Sequence, residues 1–441
     1  MKRNTHGTLL ASILAGLTLM WIGVNAQAVP SFARQTGMPC SGCHTKYPEL
    51  NQFGRTFKLN GYTLAGISQI QKDGGSMSAG LKINQIPALS AMVQISATKM
   101  SKTDPTMQND SVAFPQEASL FYAGEISESV GTFLQITYAQ DSGTMEWDNS
   151  DVRYVGKLGN MLWGLTLNNN PTVQDPWNTT PAWGFPFAES GAANTPAAST
   201  LIDGNLAQDV GGLGTYVLLD GTIYGEISLY RSAHQGEAAP TIGSTNTIKG
   251  MAPYWRLAWQ HNFGDNYLML GTYGIKANLY PGDGTSLGLT GPTDDYTDTA
   301  VDAQYERQLD GNMLTVRGTY INEEKNLDAT LSTGGASNKS DSLKTLKING
   351  TYHLGTEYAV SLAHFRTTGD TDALLYADSA NGSPDSTGEI VQATFLPAEN
   401  IQLTAQYTLY NKFDGATKNY DGSGRKASDN DTLYLMAWLT W

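Results

Sequence analysis

The chain has 441 residues, only 15% of them charged, and its 27 basic side chains stand against 41 acidic ones for a formal charge of −14. That balance argues against nucleic acid as a partner and favours cations or basic proteins. So few charges beside 47 glycines and 22 tyrosines also depart from the composition of an ordinary soluble enzyme.

Residues 1–28 read as a secretory signal peptide. Lys2 and Arg3 form a basic start, residues 9–24 are mostly apolar, and Ala26-Gln27-Ala28 fits a small-residue cleavage site. The apolar run is shorter than the ~20 residues a spanning helix needs, so export is expected rather than an uncleaved anchor. No later run is long and apolar enough to cross a membrane as a helix.

Residues 29–80 are expected to form a small α-helical and irregular c-type cytochrome segment. Both cysteines of the chain lie in Cys40-Ser41-Gly42-Cys43-His44. In c-type haem attachment two thiols add to the porphyrin vinyl groups, and the His after the second Cys lies under the iron. A thioredoxin-like pair would want a βαβ context, a zinc site a fourth ligand, and a disulfide would leave His44 unexplained. One covalently bound haem c is therefore expected, with Cys40 and Cys43 as attachment points and His44 as proximal ligand to the iron. Besides His44, no His lies between residues 7 and 233, and Met38, Met77 and Met92 are the nearby thioethers. Met38 is too close in sequence to reach across the ring. Met77 is the candidate distal ligand, with an open sixth position as the alternative and core packing the commoner role for any Met. Arg34, Arg55 and Lys58 flank the motif and are candidates to pair with haem propionates; otherwise they are solvated charges or partner contacts.

Residues 81–441 read as a porin-like transmembrane β-barrel. From about residue 87, segments of roughly ten residues alternate apolar and polar side chains: Leu89, Ala91, Val93 and Ile95 against Met92, Gln94 and Ser96, then Ile223, Ile227 and Leu229 against Tyr224, Glu226 and Ser228. Tight turns are expected at Glu128-Ser129, Gly159-Asn160, Asp220-Gly221, Gly264-Asp265, Asp310-Gly311, Gly355-Thr356 and Ala398-Glu399, with long polar connections between them. Short turns on one side and long loops on the other are what bacterial barrels show. The count is about sixteen antiparallel strands, mainly β overall. The chain ends on an alternating strand with a final Trp441, similar to the terminal strand of outer-membrane barrels, and Trp255 and Trp259 suit aromatic girdles. Arg153, Asp302, Arg317 and Lys347 are expected to line a wet lumen. Residues 170–211, rich in aromatics, form the longest connection and the third long loop; such a loop often folds inward and narrows the pore in porins, and here it either packs against haem or lies at the surface. Acidic groups such as Asp148 and Asp151, Asp294 and Asp298, Glu323 and Glu324, and Asp370 and Asp372 would suit hard divalent cations at the outer mouth, or are simply solvated.

The stretch Pro30-Ser31-Phe32-Ala33-Arg34-Gln35-Thr36-Gly37 precedes the Cys-x-x-Cys-His motif, and Tyr47-Pro48-Glu49-Leu50, Phe53-Gly54-Arg55, Phe57-Lys58 and Gly61-Tyr62 follow it. Over residues 30–62 this resembles the fused outer-membrane monohaem cytochrome–porins of iron-oxidising bacteria; the remaining chain matches in length and pattern. The resemblance implies a Gram-negative outer-membrane protein that oxidises extracellular Fe(II). Its electrons would pass through one haem to a periplasmic c-type cytochrome. The haem segment is expected in the lumen or at its periplasmic mouth, because it is too small for a core of its own. The competing functions are a solute porin with a haem-bearing plug or redox gate, and an outer-membrane electron-export conduit.

Overall fold

The computed structural model describes residues 29–63, 88–103, 109–139, 143–233, 240, 244–282 and 288–441. The expected signal peptide, Met77 and the boundary at 80/81 lie outside the described residues.

Sixteen antiparallel strands close into one barrel, each paired with its neighbours in sequence and the last with the first. They are β3 (Leu89–Met100), β4 (Ser111–Ser127), β5 (Val130–Ala139), β6 (Thr144–Leu158), β7 (Met161–Asn168), β8 (Val210–Leu219), β9 (Ile223–Ser232) and β10 (Ala252–Phe263). The round continues with β11 (Asn266–Leu279), β12 (Asp294–Leu309), β13 (Asn312–Asn326), β14 (Ser340–Leu354), β15 (Tyr358–Gly369), β16 (Ser386–Ala398), β17 (Ile401–Lys412) and β18 (Thr432–Thr440). Closure leaves no edge strand whose N–H and C=O groups would be stranded in lipid. The expected strand count and all seven tight turns are present, and these turns share one end of the barrel with the start of β3 and the end of β18.

The two-residue alternation sets the faces. On β9, Tyr224, Glu226, Ser228 and Tyr230 are buried while Ile223, Ile227 and Leu229 are exposed. The same rule exposes Leu165, Leu213, Leu257, Leu362 and Leu435 outward, with Trp255 and Trp259 among them. An apolar outer face on a closed barrel is the surface a bilayer requires.

The lumen differs from the expected wet channel. Arg153, Arg317 and Asp302 are buried, because two pieces of chain fill the barrel. The first is the N-terminal segment: helix α1 (Pro30–Thr36), a 3₁₀ turn over Cys40–Gly42, a small hairpin of β1 (His44–Lys46) and β2 (Glu49–Leu50), and helix α2 (Gln52–Leu59). Pro30 at the first turn suits α1, and Gly37 at φ 68° ends it, its N–H reaching Ala33 O at 2.8 Å. The Asn51 side chain caps α2 by accepting from Gly54 N at 3.0 Å.

The second piece is the long connection between β7 and β8, residues 169–209. It turns inward, so the surface alternative is set aside. Asp175 holds its bend, accepting from Trp177 N, Thr179 N and Thr180 N at 3.0–3.1 Å while Arg256 of the wall stands 3.4 Å away. Trp177 is wholly buried, its indole N–H donating to the Tyr267 hydroxyl at 2.7 Å. Further on, Leu201 N and Ile202 N donate to Glu323 and Asp298, and Lys347 meets Asp203 at 2.7 Å.

Candidate functional site

The N-terminal segment sits at the tight-turn end and is tied to the wall on several sides. In α1, Gln35 exchanges bonds with Ala123 O and Glu125 N of β4, and the Arg34 guanidinium donates to Leu89 O at the start of β3. Glu399, between β16 and β17, accepts from Cys40 N at 2.8 Å, and the Tyr47 hydroxyl donates to its carbonyl. Arg55 of α2 makes a two-pronged pair with Glu306 of β12 at 2.5 and 3.0 Å. Buried Glu49 lies between Lys46 (3.4 Å) and Arg317 of β13 (3.1 Å). The Tyr62 hydroxyl donates to Asp151 at 2.7 Å, and the Arg153 guanidinium bonds both Asp151 and Lys58 O.

Between this segment, the wall and the inward loop lies a cavity of about 350 Å³, within the usual size of small-molecule and cofactor sites. Cys40, Cys43 and His44 line one part of it, with Phe32, Phe57 and Tyr62 from the same segment. The wall adds Met92, Gln94, Phe133 and Trp438, with Glu117, Gln135 and Asp148 as a polar margin; the loop adds Asn178, Pro181, Trp183 and Phe187. A smaller crevice at the tight-turn end reaches Cys40 and His44 past Thr356, Glu357, Pro397 and Glu399.

The residues fit a covalently held haem on observations of their own. The two thiols are not joined to each other. Burial pushes the Cys43 thiol up to about 11 and lowers His44 to about 4, so that at neutral pH the first is protonated and the second is a neutral imidazole. Backbone groups of Pro48 and Glu49 approach the His44 imidazole and partly offset the effect of its burial. An apolar, aromatic-lined space bounded by two thiols and an imidazole is the donor set that c-type attachment needs.

The flanking cations are distributed differently from a propionate cluster. Lys58 lines the cavity, but its ammonium donates to Val173 O and Asp175 O at 2.7 and 2.9 Å. Burial, reinforced by Arg153, lowers it to about 7. Arg55 is committed to Glu306 and Arg34 to Leu89 O; neither lines the cavity. Two of the acidic loop groups are likewise engaged. Asp294 accepts from Ala329 N and Thr330 N in helix α3 (Asp328–Thr333), and Asp372 from Ser337 N, Asn338 N, Leu374 N and Leu375 N. Among the described residues no group of three or more His, Cys, Asp or Glu is placed to hold a metal ion. Of the wall residues, the sequence singles out Met92 as a nearby thioether and Asp148 as an acidic group, while Glu117, Phe133, Gln135 and Trp438 carry no signal of their own. The alternation marks them as lumen-facing, but not their height in the barrel.

On the other side of the inward loop is a second, polar cavity of about 480 Å³, lined by Glu189, Asp203, Arg317, Lys347 and His364. It shares Asn178, Pro181, Gly184 and Pro186 with the first.

No known protein family matches the chain, and no curated protein does. Solved structures do resemble it. A loop-deletion form of OmpT, an outer membrane protein of Vibrio cholerae, is 14% identical over 80% of this chain and 98% of its own (TM-score 0.46). The outer membrane channel DcaP of Acinetobacter baumannii is 14% identical over 80% and 96% (TM-score 0.47). OmpF of Salmonella typhi, solved with daunomycin, is 12% identical over 80% and 97% (TM-score 0.49).

Proposed function

We propose that this porin-like barrel is an outer-membrane electron-transfer protein: it takes one electron from extracellular Fe(II) and passes it inward to a soluble c-type cytochrome. One observation carries the proposal. The only two cysteines of the chain and the adjoining His44 border an aromatic cavity that exists because the barrel encloses them. Cys40 and Cys43 would hold haem through two thioethers and His44 would supply the axial imidazole. Bound there, haem supplies a one-electron redox centre. Trp183, Phe187, Phe57 and Trp438 exclude water from it, and Glu399 fixes the Cys40 backbone.

Short turns face the periplasm and long loops the exterior in bacterial barrels. The polar cavity then opens toward the donor and the crevice beside Glu399 toward the acceptor, with the inward loop between. Fe(II) loses one electron and leaves as Fe(III), and the acceptor gains that electron. The resemblance over residues 30–62 supports Fe(II) as the donor.

A solute porin is the second reading, favoured by the barrel itself and its 480 Å³ polar cavity. Outer membranes carrying the mature protein, mixed anaerobically with Fe(II), are expected to develop reduced haem bands, and the Cys40→Ala/Cys43→Ala variant to lose haem staining on a denaturing gel. Haem bands that stay oxidised under excess Fe(II), with ordinary solute conductance, would favour the porin.

A further inference from the structure

We propose that Met92, on the barrel wall, is the second axial ligand of the haem iron. This rests on the haem assignment above and extends it to a residue outside the N-terminal segment.

Among the described residues, two thioethers line the cavity that holds Cys40, Cys43 and His44: Met38 and Met92. Met38 stands two residues before Cys40, and its terminal methyl lies 3.0 Å from where a Cβ on Gly42 would be. Its side chain is spent covering the attachment loop from which His44 itself emerges. Met92 belongs to β3 and approaches the cavity from the wall. A ligand on a separate element is not bound to the side of the ring that its own loop occupies.

The surroundings of Met92 suit a soft ligand. It is 4% exposed and packs with Phe121 and Ala123, while Phe32, Phe133 and Trp438 close over them. Its sulfur has one polar neighbour, Gln94 Nε2 at 4.0 Å, the outer limit of a hydrogen bond to sulfur. The sulfur thus lies on the aromatic side of the cavity, and a thioether is a soft donor of the kind that binds haem iron. The other donors in the lining are less suited. Lys58 is held by two backbone carbonyls, and no second His is present there.

The order of the chain gives this assignment a mechanical sense. Met92 pairs with Ser119 of β4 and Thr440 of β18, so it stands at the seam where the barrel closes. An iron bond to it would join the N-terminal segment to the wall at that seam.

The test is spectroscopic, on the full mature protein in detergent. Ferric wild-type protein is expected to show the weak far-red charge-transfer band of a thioether–iron bond. Met92→Leu is expected to lose that band while keeping covalent haem on a denaturing gel. Met92→His is expected to keep a six-coordinate spectrum and to lower the midpoint potential, because imidazole favours the ferric state more than thioether does. The inference is overturned if wild type lacks the band, if Met92→Leu retains it, or if Met38→Leu or Met77→Leu abolishes it while Met92→Leu does not. Haem staining keeps the two levels apart. Stained protein with an unchanged band in Met92→Leu sinks only the ligand, whereas unstained wild-type protein sinks the haem assignment and this inference with it.

Discussion

At the scale of single residues, the stretch around the haem motif is a set of docking contacts. Gly54 lies on the face of α2 that meets the attachment loop, and a Cβ there would fall 2.3 Å from Cys43 O. Only glycine lets the helix come that close. At Gly124 of β4 a Cβ would meet the end of the Gln35 side chain at 2.3 Å, so a larger residue there would displace the amide that ties α1 to β4. Arg55 next door is buried and balanced by Glu306. Removing one member of such a pair leaves an uncompensated buried charge, at a cost of about 3–5 kcal/mol. Glu306→Ala is therefore expected to loosen the N-terminal segment without opening the barrel. Protease should cut within residues 30–63, while the band shift that folded barrels show on unheated gels persists. A double change to Arg55→Met with Glu306→Leu should recover most of the protection. Cys40, Cys43 and His44 stand out in the sequence because their spacing is chemical. The partner of Arg55 does not, since Glu306 lies 251 positions away and no local pattern joins them.

At the scale of elements, the strands were legible and the filling of the lumen was not. A period of two fixes which side chains point inward, and the tight turns fix strand order. Neither says how deep a loop folds or what it touches. Arg153, Arg317 and Asp302 do lie on the inner face, yet they are buried there, because residues 169–209 and the N-terminal segment pack over them. Asp175 anchors that loop. Burial alone would raise its carboxyl, but Arg256 and the N–H groups of Trp177 and Thr180 outweigh burial and hold it below the usual range. A depressed folded-state pKa gives stability that is complete above the ordinary carboxylate value of about 3.9 and is lost only as pH falls through the lower folded value. Conductance in planar bilayers is accordingly expected to be the same at pH 7 and pH 5 and to rise only in stronger acid. Asp175→Ala should raise it already at pH 7. An equal conductance in that variant would mean the loop is held by its other contacts.

At the scale of the whole molecule, the tight-turn end of the barrel is an acidic rim. The tight turns carry exposed Glu128, Asp220, Asp265, Asp310, Glu357 and Glu399, against Lys157 and Arg307 at nearby strand ends. A soluble acceptor that meets this rim would be basic. Charged rims act mainly on encounter rates and are screened over roughly 8–10 Å at moderate salt. Electron transfer to a basic cytochrome is expected to slow roughly tenfold from low to high ionic strength, and Asp310→Lys with Glu357→Lys to flatten that dependence. A rate indifferent to salt would place the contact elsewhere.

The segment lies inside a closed ring of strands, with Cys40 only 5% exposed and its backbone held by Glu399 near the end of the chain. That geometry sets an order of manufacture. If haem is held there as proposed, a maturation enzyme would have to reach both thiols, and the closed strands around Cys40 stand in its way. Attachment would then belong to the unassembled chain, and β18 would pair with β3 around a segment already loaded. The barrel wall would act as the last fold of such a cytochrome, completed on insertion into the membrane.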